Sequence, residues 1–282
     1  MSNTSLQLSH KAELRLHTRV VADVQATAVP LGMAVMMTGA FARDLHLHYA
    51  WGVPVRRQTR DVDFALAVED WAAFSALRAQ LIGTGLFAEV VGLMHRLRHV
   101  SGLPVDLVPF GAIETAQRQI AWPPRGDVVM DVFGFREAQA TAVTVALPGD
   151  VQANVVSLPA LAWLKIVCWQ DRHRRSPGKD AQDLQLILNH YLDAGQEPRL
   201  WDEFVPWTQE DGFDYVLTGA RMLGHDIRRQ LNAAALARVS AIVAQQADAE
   251  NPGVLPQEMN PRSPEQAVLQ LQALLAGLKE KD

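Results

Sequence analysis

The chain has almost no cysteine. Cys168 stands alone among 282 residues, so no intrachain disulfide can form, and a reducing compartment is expected. It lies in an apolar stretch beside Trp169, which fits a packed thiol better than a nucleophile. No apolar run reaches the roughly 20 residues needed to span a bilayer. The opening residues, Met1-Ser2-Asn3-Thr4-Ser5, lack the apolar core of a signal peptide. A cytoplasmic protein with no membrane partner is therefore expected. There is no internal repeat and no low-complexity tract. His95 and His99 have no further Cys or His close by in sequence, so a zinc site is not expected there. The formal charge of −5 excludes a chain whose whole surface grips nucleic acid, while leaving room for a local basic patch. Hydrophobic content of 49% is ample for a core, and the length suits one large domain or two smaller ones.

Against that background, acidic residues appear where strand hydrophobics belong. Asp61 and Asp63 sit in Thr59-Arg60-Asp61-Val62-Asp63-Phe64-Ala65-Leu66, and Asp106 sits in Pro104-Val105-Asp106-Leu107-Val108. In a strand, residues i and i+2 share a face, so Asp61 and Asp63 stand side by side while Val62 and Phe64 turn to the core. Two neighbouring carboxylates repel, and burying them unpaired is costly. Divalent cations bridged to a phosphate substrate remove that cost. Mg²⁺ suits such a site because it takes a few carboxylate oxygens together with substrate phosphates. A pair of metal ions can clamp both the attacking and the leaving oxygen of an in-line displacement. Alone, a D-x-D pair is also common on solvated strand faces. Upstream, Met33 to Thr38 is a short apolar run that breaks at Gly39, which reads as a buried strand entering a turn. Gly39 allows close approach of backbone to ligand. The stretch Ala40 to Tyr49 has helical spacing, and backbone N–H groups at the start of a helix bind phosphate. Arg43 and Arg60 flank this neighbourhood, and either could balance the carboxylates or touch phosphate. The loop from Trp51 to Thr59 is placed at the mouth of the site.

A second group of polar residues follows in the middle of the chain. Leu158 to Arg172 has Pro159 near its start and apolar residues at helical spacing. Lys165 and Arg172 are seven residues apart, about two turns, and share a face. Ser176-Pro177-Gly178 marks a loop, and Lys179-Asp180-x-x-Asp183-Leu184 opens another helix. Each residue also has a plain reading. Acids are favoured in a first helical turn, and a lysine on an amphipathic helix usually packs its stem and solvates its head. Arg172, His173, Arg174 and Arg175 form a basic cluster that suits either solvent or phosphate, whether of a triphosphate or of RNA.

The order apolar strand, small-residue turn, helix, D-x-D strand and later acidic strand resembles the nucleotidyltransferase superfamily. The matching positions are Gly39-Ala40, Asp61 and Asp63, and Asp106. Ala40 departs from the pattern, since that place is often held by Ser or Gly, and a serine hydroxyl there would hydrogen-bond a phosphate oxygen. Its backbone N–H remains. The lysine-bearing helix followed by K-D-x-x-D-L is similar to the AbiEii-type nucleotidyltransferases, many of them toxins of bacterial toxin–antitoxin systems. The resemblance spans roughly residues 30 to 190. It implies a mixed sheet flanked by helices, an α/β (α+β) catalytic domain over residues 1–157, and a helical domain over 158–282 that contributes to the nucleotide site. It implies an enzyme using Mg²⁺ or Mn²⁺, with an NTP as co-substrate. Asp61, Asp63 and Asp106 would be the catalytic and metal-holding residues. Thr38, Gly39, Ala40, Arg43, Lys165, Arg172, Lys179 and Asp180 would hold the nucleotide, with Asp180 positioning Lys165 or the incoming group. The acceptor would be a hydroxyl on tRNA or another RNA, and an antitoxin protein is a possible partner. Two alternatives stay open: transfer to a small molecule of the antibiotic type, and a catalytically silent nucleotide-binding or interaction module.

The remaining pattern places a helix over about 9–29, a helix capped by Glu69-Asp70 and running to about Leu81, and strands near 87–91, 94–100 and 104–109. Residues 127–158 read as further strands separated by turns. From Pro159 onward the pattern is almost wholly helical, with a break at Asn251-Pro252-Gly253. A final helix starts at Ser263-Pro264.

Overall fold

The computed structural model describes residues 6–54, 59 and 61–280. It divides into two compact units, Met1–Ala50 with Pro54–Ser157, and Trp51–Val53 with Leu158–Asp282.

The first unit is built on strands β1 (Leu6–Gln7), β2 (Val35–Thr38), β3 (Val62–Val68), β4 (Phe87–Glu89), β5 (Arg96–His99), β6 (Pro104–Gly111), β7 (Gln119–Trp122), β8 (Val128–Asp131), β9 (Val143–Leu147) and β10 (Val151–Val155). Among the described residues, eight of these form one mixed sheet in the order β1-β9-β10-β2-β3-β6-β5-β4, and β7 and β8 form a separate hairpin. The fold class is thus the mixed α/β arrangement expected. β3 lies near the middle of the sheet, and Val62, Phe64, Ala65 and Leu66 are fully buried. A strand covered on both faces is apolar on both, which explains its continuous hydrophobic run beyond Asp63. β3 and β6 are parallel, so the chain crosses over between them through α3 (Trp71–Gly83), β4 and β5. Asp70 caps α3, its side chain accepting from the Ala73 N–H at 2.7 Å. The other helices of this unit are α1 (Arg15–Ala28), α2 (Gly39–Asp44) and α4 (Phe135–Ala140). α2 continues into a π turn over Leu45–Tyr49.

Three local expectations change. The first helix is shorter than 9–29, because single 3₁₀ turns occupy Ala12–Leu14 and Val29–Leu31 and Gly32 (φ +73°) ends the second of them. α4 occupies a segment where only strands were expected. Its six residues are too few for helical periodicity to register against the neighbouring β-rich runs. The strand at Gln119–Trp122 was not anticipated. It exists through pairing with β8, a partner that short-range pattern does not reveal.

His46, in the π turn, is buried and donates from Nε2 to the Val156 carbonyl at 2.8 Å. Burial lowers its pKa from 6.5 to about 4, with the carbonyl bond opposing that shift only in part. Above pH 6.5 the ring is neutral whether the chain is folded or not. Between pH 6.5 and 4 the unfolded chain takes up a proton that the folded one refuses, so stability falls as pH falls. The loss is about 3 kcal/mol across that window. His46→Gln keeps a donor for Val156 and should flatten the pH dependence of urea midpoints between pH 7 and 4.5. Parallel pH curves for the two proteins would remove His46 as the cause.

The second unit is helical: α5 (Leu158–Arg172), α6 (Lys179–His190), α7 (Glu197–Asp202), α8 (Val205–Thr208), α9 (Tyr215–Gln230), α10 (Ala233–Gln246), α11 (Val254–Met259) and α12 (Pro264–Lys279). α5 is buried along its whole length from Leu158 to Val167, with Lys165 among the buried residues. α9 and α12 pack backbone against backbone. A Cβ at Gly224 would strike the Leu274 carbonyl, and one at Gly277 would strike the Arg221 carbonyl. Among the described residues no helix is long and apolar enough to cross a membrane.

Candidate active site

Strand register assembles the site. Thr38 on β2 lies opposite Asp63 on β3, Asp63 lies beside Asp106 on β6, and Asp106 lies opposite Arg96 on β5. Residues in register across a sheet share a face, so Thr38, Asp63, Asp106 and Arg96 form one transverse row. Asp61 joins it from two residues before Asp63, at the point where the chain enters β3. One carboxylate oxygen from each of Asp61, Asp63 and Asp106 lies within 4.8 Å of the others. Asp106 has 13% of its side chain exposed and Asp61 has 29%, so the cluster is half-sheltered rather than sealed. Gly39 follows Thr38 with φ +72°, and a Cβ there would collide with the Asp63 carboxylate. Glycine is thus required twice, for its conformation and for the space it leaves to Asp63. Gly39→Ala should cost about 1–3 kcal/mol from the backbone alone. It should also displace Asp63, so any activity that depends on the acid cluster should fall further than the loss of folded protein explains. A variant with unchanged thermal midpoint and turnover would refute this reading of Gly39.

The remaining nucleotide-site candidates of this unit fall nearby in sequence but differ in exposure. Ala40 is half-buried at the start of α2, and Thr38 is buried. Arg43 is buried too, and its guanidinium meets Asp44 Oδ1 from Nε at 2.9 Å and Nη2 at 2.5 Å. Arg60, and Val55–Gln58 of the loop placed at the mouth of the site, lie outside the described residues.

Arg96 is the residue that sequence reading missed. Its Nε donates to Asp106 Oδ1 at 2.6 Å and its Nη2 to Asp106 Oδ2 at 2.5 Å. The same Nη2 lies 3.7 Å from Asp61 Oδ2. The hydrogen bonds to Asp106 raise the arginine's pKa above its ordinary value against the opposing effect of burial. The alternation of Leu93 to Val100 does place Arg96 and Arg98 together on one strand face. Only the pairing of β5 with β6 distinguishes them, setting Arg96 opposite Asp106 and Arg98 opposite Pro104.

The second unit gathers a different set. Lys165 Nζ lies 3.1 Å from Asp180 Oδ1 and 2.5 Å from Asp183 Oδ2. Arg172 grips Asp180 bidentately, Nε to Oδ2 at 2.7 Å and Nη2 to Oδ1 at 2.8 Å. The seven-residue spacing on α5 therefore converges on one carboxylate at the start of α6. Burial would lower the Lys165 pKa, but Asp183 and Asp180 outweigh it and hold the ammonium charged. Burial would raise the Asp180 pKa, but the hydrogen bond from Arg172 and the charge of Lys165 bring it down to about 2. Lys179, the first residue of α6, is exposed.

A family model described as nucleotidyl transferase AbiEii toxin, type IV toxin–antitoxin system, matches residues 24–268. The chain is a nucleotidyltransferase, and within that class it belongs to the AbiEii family. No curated protein matches it. Among solved structures it is similar to the solution structure of the antibiotic-resistance factor ANT(2'')-Ia, at 12% identity over 69% of this chain and 98% of that one, with a TM-score of 0.39. The crystal structure of ANT(2'')-Ia with adenylyl-2''-tobramycin gives 14% identity over 67% and 97%, with a TM-score of 0.39. An antigenic nucleotidyltransferase-like protein from Paracoccidioides brasiliensis gives 19% identity over 68% and 89%, with a TM-score of 0.40.

Proposed function

We propose that this protein transfers a nucleoside monophosphate from an NTP to a hydroxyl of an RNA, with tRNA as the foremost acceptor, in a metal-dependent reaction that makes it the toxin of a toxin–antitoxin pair. The observation that carries the chemistry is the three carboxylates with oxygens within 4.8 Å of one another at one end of adjacent strands. An all-oxygen, triply anionic donor set, partly open to solvent, fits Mg²⁺ or Mn²⁺ and does not fit a soft metal. The space left by Gly39 beside Asp63 belongs to the same fit.

Asp61, Asp63 and Asp106 would hold the metal, which when bound neutralises charge on the phosphates and on the leaving pyrophosphate. The chain's own work is positional. Thr38, Gly39 and Ala40 present backbone beside the acid cluster, where a triphosphate would lie. Ala40 gives only its N–H, so the cradle depends on main chain rather than on a hydroxyl. The acceptor hydroxyl attacks the α-phosphorus, its proton passes to Asp106 or to water, and pyrophosphate leaves. Lys165, held charged by Asp180 and Asp183, is the cation proposed for the nucleotide, with Arg172, Arg43 and Lys179 as further candidates.

Incubation with each radiolabelled NTP, Mg²⁺ and total RNA tests this reading, with Asp63→Asn as control. Label on an RNA band from wild type only is the expected result. Label on an added aminoglycoside instead of RNA would transfer the acceptor to the small-molecule class. Absence of labelled product with all four NTPs, alongside absent nucleotide binding in calorimetry, would overturn it.

A further inference from the structure

The proposed metal site already contains a cation. Arg96 Nη2 lies 2.5 Å from Asp106 Oδ2 and 3.7 Å from Asp61 Oδ2, so it stands between two of the three carboxylates. A divalent ion joining Asp106 to Asp61 needs oxygens at about 2.0–2.1 Å for Mg²⁺. Such an ion would lie within a few ångströms of the guanidinium that already grips both Asp106 oxygens, and two cations so close repel in a half-sheltered site. The arginine is built to leave. Its side chain is 31% exposed, and its third nitrogen, Nη1, has no protein partner among the described residues. A planar guanidinium with an unused edge is matched to bidentate capture of phosphate.

We propose that Arg96 is an exchangeable counter-cation: it neutralises the acid cluster before substrate arrives, then gives up Asp106 to the metal and takes the triphosphate of the incoming nucleotide. The proposal rests on the metal-dependent reading of the site. It makes Arg96 a substrate-contacting residue that couples two binding events. Metal alone binds weakly because it must displace a bidentate ion pair, and nucleotide assists by giving the displaced guanidinium another anion. By thermodynamic reciprocity, metal must assist nucleotide by the same factor.

The test is Mn²⁺ binding followed by the paramagnetic resonance of free Mn²⁺, with and without a non-hydrolysable NTP analogue, on wild type, Arg96→Gln, Arg96→Lys and Asp63→Asn. Arg96→Gln should bind Mn²⁺ alone about tenfold more tightly than wild type and should gain little from the analogue. Wild type should gain about tenfold from it. Arg96→Lys, which keeps a cation, should stay near wild type in the absence of nucleotide. Equal or weaker Mn²⁺ binding by Arg96→Gln, with binding still lost in Asp63→Asn, would overturn the exchange and leave the metal site standing. Unchanged Mn²⁺ binding in Asp63→Asn would overturn the metal reading and the exchange with it. If Arg96→Gln does not fold, wild type decides. Its Arg96 Nε–H resonance, assigned through Arg96→Lys, should move when saturating Mg²⁺ and analogue are added. A resonance that stays in place refutes the proposal.

Discussion

Asp63→Asn is expected to lose at least about a thousandfold of nucleotide transfer, some 4 kcal/mol of transition-state stabilisation, while remaining folded. The reason lies in its place in the row. Asp63 is flanked in register by Thr38 on one side and Asp106 on the other, with Asp61 two residues away and Gly39 pressed against its carboxylate. The amide of asparagine keeps the shape and removes the charge. A purely structural acid would show its loss in stability and little in turnover. A metal-holding acid shows the reverse, because the substitution relieves repulsion among three like charges as it weakens the grip on a cation. The measurement is kcat/KM with labelled NTP beside the thermal midpoint. Near-normal turnover, or a collapse of the midpoint with proportionate loss of activity, would end the assignment of Asp63.

Asp180→Ala is expected to destabilise the helical unit by about 3–5 kcal/mol, the usual consequence of stripping a partner from buried charge. Asp180 is 2% exposed and receives both Lys165 and Arg172. Its removal leaves Lys165 with Asp183 alone and releases Arg172 from its bidentate hold. The linkage has a definite sign. A carboxylate whose pKa is about 2 when folded and near 3.8 when unfolded adds stability above pH 3.8 that disappears as pH falls towards 2, about 2 kcal/mol in total. Urea unfolding of wild type and Asp180→Ala at pH 7 and pH 3 should therefore show a gap that narrows on acidification. Lys165→Met combined with Asp180→Ala should be less harmful than the sum of the single changes, since the pair is then removed together. Strict additivity would mean that the two residues do not act as a unit. If Lys165 also holds the triphosphate, Lys165→Met should raise KM for NTP in the protein that remains folded.

Much of the site was legible because its chemistry violates local pattern. Carboxylates at 61, 63 and 106 interrupt strands that are otherwise apolar, and the period-2 rule is enough to place Asp61 and Asp63 on one face. Gly39 was legible as a break after an apolar run. Lys165 and Arg172 were legible as a shared face from helical spacing alone, and both do meet Asp180. Arg96 was not. On its own strand it is one of two arginines with the same orientation, and the spacing to Asp106 does not say which of them the β5–β6 register sets opposite that acid. The short helix at Phe135–Ala140 and the strand at Gln119–Trp122 were hidden for a related reason, since each is too short for its own periodicity and exists through its neighbours.

The amino-acid order by itself determined the family, the mixed sheet followed by helices, and the identity of the acidic cluster, because these rest on local periodicity and on residue types with few alternative uses. The tertiary structure alone decided the row Thr38, Asp63, Asp106, Arg96, and with it the presence of a guanidinium among the acids. Register among β2, β3 and β6, which are distant in sequence, is set by packing and pairing across the whole sheet, and within the β5–β6 hairpin a shift of one residue would have turned Arg96 to the opposite face.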